Sequence, residues 1–190
     1  MKLSALWKLL KKEKNVTIFL KEGGRRYICA GLALYPLDGL PVLDEENLLT
    51  LMDIPPTDRE NWSVRVDVAK PWMMQLMEDN TPEDTPATST GIEIGWLDQT
   101  LIPVYTQGGL VLARAECFAP LADCKSYDLY ARTVYSNTYL IAKNGYMQIA
   151  AIGCAKLMDT TAATIIMDAA KKIAADIQEA QQEDEAQTHI

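Results

Sequence analysis

One histidine, His189, serves the whole chain of 190 residues, and it stands next to last. A Ser-His-Asp triad, a Cys-His pair or an H-E-x-x-H zinc site would have to use that residue. A terminal residue behind a polar tail is badly placed for preorganised chemistry. Neither G-x-x-x-x-G-K-[ST] nor G-x-G-x-x-G occurs, so the common nucleotide-binding scaffolds lose support as well. The four cysteines, Cys29, Cys117, Cys124 and Cys154, include no C-x-x-C pair and none of the usual zinc spacings. They read as free thiols buried in a reducing compartment. No apolar run approaches the ~20 residues that cross a bilayer. The opening MKLSALWKLLKKEKN is too interrupted by lysines for a signal peptide. A soluble, cytosolic protein with no cofactor, no metal and no membrane partner is expected.

Hydrophobic residues make up 48% of the chain, enough to bury a core in one domain or two small lobes. The formal net charge is −8, and it is unevenly spread. Residues 1–26 hold eight Lys/Arg and two acids, whereas the other 164 residues hold ten basic and 24 acidic groups. Such asymmetry bears on partners, not on fold. A basic end could meet phosphate, and an acidic body could meet a basic groove.

Residues 2–13 read as an amphipathic helix with Leu3, Leu6, Trp7 and Leu10 on one stripe and Lys8, Lys11 and Lys12 mostly off it. NVTIFLK (15–21), a Gly23-Gly24 turn and RRYICAGLALY form a hairpin. Asp44 caps a helix from Glu45 to Met52, in which Leu48, Leu49 and Leu51 pack and Pro55-Pro56 end the run. Asp44, Glu45 and Glu46 are consecutive, so they fan out by about 100° each and do not converge on one ion. Thr57 to Glu60 has the form of a capping box. WSVRVDV (62–68) alternates as a strand, and KPWMMQLMED (70–79) is a proline-started helix.

EDNTPEDTPATSTG (78–91) is polar, with two prolines and no bulky apolar residue, and reads as a linker. The expected division is an N-terminal α+β lobe at 1–77, the linker at 78–91, a C-terminal α+β lobe at 92–178 and an acidic tail at 179–190. In the second lobe, GIEIGWL and TLIPVYT join through an Asp98-Gln99 turn, with Pro103 at an edge or bulge. LVLARAECFAPLADC gives a strand and then a helix. TYLIAKNGYMQIAAIG is expected as a type I′ hairpin on Asn144-Gly145. A closing helix starts near Thr160 or Thr161. No strict repeat of 20–50 residues is present. Hairpins paired with helices make the fold class α+β, with antiparallel hairpin-rich sheets and packed helices.

The order of residues 100–158 resembles one domain of a DNA sliding clamp, with Ala113 to Leu121 (ARAECFAPL) in the helix position and Ile149 to Gly153 in the last strand, where the clamp's Met-Pro is absent. That likeness implies a clamp-like second lobe. The run of basic helix, strand, YPLDGLP, acidic helix and DIPP also resembles small proteins carried by phages and prophages of gut Firmicutes. Some proteins of such phages inhibit CRISPR nucleases. The resemblance implies a bacterial host cytoplasm and a nucleic-acid-processing protein as partner.

Three functional classes remain. The first is a non-catalytic binding protein, and not an enzyme, that engages a protein with a basic nucleic-acid groove, such as a CRISPR nuclease. Its acidic surface would be Asp44, Glu45, Glu46, Asp58 and Glu60. A basic surface of Lys8, Lys11, Lys12, Arg25 and Arg26 would meet DNA or an acidic partner. The second is a sliding-clamp-like replication accessory factor. The third is carboxylate-only chemistry, with Glu93 and Asp98 as candidates on the 92–105 hairpin. Strand edges that need covering leave room for a homodimer.

Overall fold

The computed structural model describes residues 1–154 and, beyond them, residues 164–165, 168–169, 171–173 and 175. The fold is α+β: a mixed, largely antiparallel sheet with helices packed on it. The acidic tail and most of the expected closing helix lie outside the described residues. No described helix is long and apolar enough to cross a membrane.

Helix α1 (Leu3–Glu13) buries Leu6, Leu9 and Leu10 and ends on Lys14 at φ 53°. The chain then makes β1 (Asn15–Leu20), β2 (Arg26–Ala30) and β3 (Ala33–Pro36) as an antiparallel meander. Gly23 and Gly24, at φ 91° and 85°, supply the first turn where a side chain would be strained. Helix α2 (Glu45–Leu51) follows, with the Asn47 N–H donating to Asp44 Oδ1 at 2.8 Å as the capping pattern predicts. Leu48 and Leu49 are buried, but Leu51 is 43% exposed and Met52 takes the inward place. A 3₁₀ helix (Pro56–Asn61) comes next and has no side-chain cap, so the expected capping box at Thr57 does not form.

Strand β4 (Ser63–Val68) returns alongside β1 in parallel register. Helix α3 (Pro71–Leu76) has Pro71 in its first turn, where the missing N–H costs nothing. Residues 78–91, the stretch expected to link two lobes, contain β5 (Thr85–Ser89), which pairs with strands on both sides. Strands β6 (Ile94–Trp96), β7 (Gln99–Thr106) and β8 (Gly109–Arg114) follow, then a 3₁₀ helix (Ala115–Leu121) and β9 (Asp128–Val134), β10 (Asn137–Asn144) and β11 (Met147–Gly153). The order across the sheet is β4-β1-β2-β3-β11-β10-β9-β5-β7-β6, with β8 also on β7. A bridge from Ala113 to Cys154 brings the end of β8 back to the end of β11. The main core draws on both halves of the chain, from Leu6 and Leu48 to Val104, Leu121 and Ile152. A second core lies under α3, around Tyr27, Met73, Leu76 and Ile141.

Two local expectations shift in the second half of the chain. The helix expected at 113–124 is the shorter 3₁₀ helix, with Pro120 inside it, because proline removes a helical donor and crowds the preceding turn. Pro103 is in β7, which has neighbours on both sides, rather than at an edge. Its carbonyl accepts from Thr90 N–H at 3.1 Å and Thr90 Oγ1 at 3.0 Å, so its N–H-less nitrogen turns toward the break between β6 and β5 and no ladder bond to β8 is lost.

Both hairpin turns fall one residue from the expected place. Leu97-Asp98 turns β6 into β7, and Gly145-Tyr146 turns β10 into β11. Positive φ occurs at Gly145 and not at Tyr146, the pattern of a type II′ turn rather than type I′.

A repeat absent from the sequence is present in the topology. α1–β1–β2–β3 and the second 3₁₀ helix–β9–β10–β11 are each a helix followed by a three-stranded meander. Their last strands, β3 and β11, pair antiparallel at the centre of the sheet. The two helices also run antiparallel: Lys2 N–H donates to Pro120 C=O at 2.7 Å at one end, and Lys12 meets Glu116 at 2.9 Å at the other. These relations are those of a local twofold axis.

The β9–β10 turn holds Tyr135 and Ser136 at φ 46° and 66°, left-handed values that suit Asn-Gly far better. Tyr135 is 70% exposed, so little packing depends on it. Replacing the pair by Asn-Gly is expected to stabilise the fold by about 1 kcal/mol, measured by urea unfolding.

Candidate functional site

The expected surface carboxylates are where a partner could reach them. Asp44, Glu45, Glu46, Asp58 and Glu60 are all exposed. Asp44 is engaged locally, accepting from both the N–H and the Nδ2 of Asn47, while Glu45 and Glu46 stand in the first turn of α2 at its positive end. Arg59, the single cation of residues 44–60, folds back: its Nε donates to Ile54 C=O and its Nη2 to Thr50 Oγ1. That holds the 3₁₀ helix against α2 and leaves the carboxylates of this segment uncompensated.

The basic residues are not brought together. Lys8 and Lys11 are exposed on α1. Lys12 is spent on Glu116, whose hydrogen bond and charge raise the lysine above its ordinary range. Arg25 is held by Asp38 Oδ2 at 2.6 Å and Asp79 Oδ1 at 2.7 Å. Arg26 donates to the carbonyls of Leu40 and Pro41. Arg25 and Arg26 therefore act within the fold, tying β2 to the loops around it.

Glu93 and Asp98 line one small cavity of about 210 Å³ with Thr100, Arg114 and Glu116. Among the described residues no three His, Cys, Asp or Glu side chains are grouped as a metal site would need. All four cysteines are free. Cys117 is in the 3₁₀ helix and Cys124 beyond its end. Burial pushes the thiols of Cys117 and Cys154 up to about 11, so neither is a thiolate near neutrality.

Sequence reasoning missed the densest polar constellation. Helix α3 ends against the sheet, and its last carbonyls, which no helical N–H can reach, are met by side chains. Arg132 Nη1 donates to Gln75 C=O at 2.7 Å and Glu78 C=O at 2.9 Å, Gln148 Nε2 to Leu76 C=O at 2.8 Å, and Tyr27 OH to Met77 C=O at 2.9 Å. The other edge of the Arg132 guanidinium makes a two-pronged contact with Asp84, at 2.6 and 2.7 Å. Lys143 Nζ meets the same carboxylate at 2.7 Å, Asn80 Oδ1 at 2.9 Å and the face of Tyr130 at 4.6 Å. The side chains of Arg132, Asp84 and Lys143 are 2%, 3% and 5% exposed.

Burial pushes the Asp84 carboxyl up, and the hydrogen bonds from Arg132 and Lys143 outweigh it, holding the group at about 2. A bulge after Ala142 skips Ile149 and leaves Gln148 N–H free to donate to Asp79 Oδ1 at 2.9 Å. The signal available in the sequence was Arg132 and Lys143, cations inside apolar strands. With the carbonyls of residues 75–78 accepting from side chains and the two cations sharing Asp84, the cluster is a structural clamp on residues 75–84.

Beside α3 a cavity of about 680 Å³ opens on the sheet, with Leu34, Trp72, Met73, Tyr139 and Gly153 in its wall. Arg114 borders it too, and its Nε is buried with no hydrogen-bond acceptor among the described residues.

No protein-family model, curated protein sequence or solved structure matches the chain.

Proposed function

We propose that the protein is a non-catalytic binding protein whose acidic α2 surface engages a protein with a basic nucleic-acid groove, the inhibitor of a CRISPR nuclease being the particular form. What supports this is the distribution of charge. Arg25, Arg132 and Lys143 are consumed by internal ion pairs, while Asp44, Glu45, Glu46, Asp58 and Glu60 stand exposed around an Arg59 that is turned inward. Carboxylates so displayed can occupy lysines and arginines built for phosphate. Rim charges of this kind act on encounter rate and salt dependence more than on fold.

The test is a tagged pull-down from a bacterial lysate, with and without nuclease treatment, read by mass spectrometry. Capture of an RNA-guided nuclease that survives nuclease treatment is expected. Lysine at all five acidic positions is expected to weaken that binding at least ~tenfold. Unchanged binding in the five-fold variant would remove the acidic surface from the account.

A second reading is a sliding-clamp-like replication accessory factor. It is favoured by one observation: the helix-and-meander order that carries the clamp likeness occurs twice, about the β3–β11 pair. Against it, Lys12 is neutralised by Glu116, which leaves α1 a thin basic lining for DNA. Capture of polymerase or clamp-loader subunits would favour this reading.

A further inference from the structure

The sheet ends in a strand whose outer edge is complementary to itself. β4 pairs with β1 over all six of its residues, and no described strand lies on its other side. Ser63 N–H donates to Lys14 C=O at 3.0 Å, and Ala69 N–H to Leu20 C=O at 2.9 Å. Odd-numbered residues therefore direct their backbone groups at β1, and Val64, Val66 and Val68 direct theirs outward.

The side chains sort in the same alternation. Val64, Val66 and Val68 stand in register with Val16, Ile18 and Leu20, so they carry the apolar face of β1 to the rim. Val64 still packs on the core, whereas Val66 is 47% and Val68 72% exposed. Arg65 and Asp67 are exposed on the opposite face. Neither takes part in an ion pair among the described residues. No proline or bulge blunts this edge, although exposed edges are commonly protected by such devices.

We propose that β4 is the interface of a symmetric homodimer, in which two copies pair antiparallel through their outer edges with Val66 opposite Val66 of the second copy. Residues that exchange hydrogen bonds across an antiparallel pair must both face outward, so even numbers must oppose even numbers. Centring the twofold on Val66 meets that condition and puts Val64 opposite Val68. It also sets Arg65 opposite Asp67, twice, at the closely spaced positions where cross-strand side chains approach best. Centring on Arg65 or on Asp67 would also satisfy the backbone, but would oppose like charges.

The three valines of each copy then form one apolar row, continuous with the core beneath β1. One pair of six-residue strands buries less than the ~1,600 Å² of a standard interface, so the dimer is weak and concentration-dependent. This inference is independent of the acidic surface and of any partner proposed for it.

Sedimentation velocity of the full chain, from micromolar up to ~1 mM, tests it. The wild type is expected to shift from monomer to dimer across that range. Val66→Lys, harmless on an exposed edge, would bring two lysines face to face and raise the dissociation constant at least ~tenfold. Arg65→Asp alone and Asp67→Arg alone would each do the same, and the two together would restore the wild-type constant. Circular dichroism of each variant verifies that the monomer still folds. A wild type that stays monomeric would overturn the proposal. So would a dimer untouched by Val66→Lys, held for instance through the exposed Ile165 and Ile173, or a charge swap that fails to restore pairing.

Discussion

Asp84→Ala is expected to destabilise the protein by about 3–5 kcal/mol, enough to unfold a domain of ordinary stability at moderate temperature. Among the described residues this carboxylate is the one counter-charge of Arg132 and Lys143, at 2.6 and 2.7 Å, and both cationic side chains are almost wholly buried. Removing it leaves two positive charges out of water, and that loss is far larger than the net worth of the ion pairs themselves. The damage would spread, because Arg132 also holds the carbonyls of Gln75 and Glu78 at the end of α3. Chemical denaturation at pH 7 measures the effect. Asp44→Ala, which removes an exposed cap, is the comparison, expected to cost about 1 kcal/mol. Equal losses at the two positions would show that the Asp84 cluster is not a buried anchor.

Acid should undo the same anchor. The Asp84 carboxyl is held at about 2 when folded, against an ordinary value of 3.8. A depressed folded value means that the stabilisation is fully present above about pH 4 and is lost as pH falls toward 2. The linkage amounts to about 2 kcal/mol from this one group. Asp79, which burial pushes up but Arg25 and the Gln148 N–H hold below the ordinary carboxylate range, adds to the loss in the same direction. Urea midpoints between pH 7 and pH 2 are expected to fall steeply over the lowest two units. Because the Asn side chain does not titrate there, Asp84→Asn should remove most of that slope while starting from a lower stability. A wild-type midpoint that is flat from pH 4 to pH 2 would contradict the assignment.

The elements that were legible in the sequence are those written in local pattern. The stripe of Leu6 and Leu10, the Asp44 cap, the proline start of α3 and the alternation of Ser63–Val68 each rest on residues within one or two turns of one another. The glycine turn at 23–24 did as well. The errors of one residue at Leu97-Asp98 and Gly145-Tyr146 are of one kind. A two-residue turn is selected by which cross-strand pair closes it, here Trp96–Gln99 and Asn144–Met147, and that pairing is not written in the turn residues alone.

The expected surfaces fared according to length of side chain and distance to a partner. The carboxylates of 44–60 are exposed, as residues at a helix start tend to be. Arg25 and Arg26 are drawn into contacts with Asp38, Asp79 and the 40–41 carbonyls, up to 54 positions along the chain. No local pattern announces such a pairing.

By itself, then, the sequence determined the α+β class, the Asp44 cap of α2, the proline start of α3 and the strand alternation of residues 62–68. Each of these follows from steric and hydrophobic periodicities that act over a few residues. Tertiary structure alone decided that residues 85–89 of a polar stretch become a strand between β9 and β7, and that β3 lies beside β11 about a local twofold. It also decided that Arg132, Asp84 and Lys143 meet in the interior. Those outcomes depend on which distant groups remain to satisfy a buried charge or an unpaired backbone edge, and that is settled only once the sheet has closed around them.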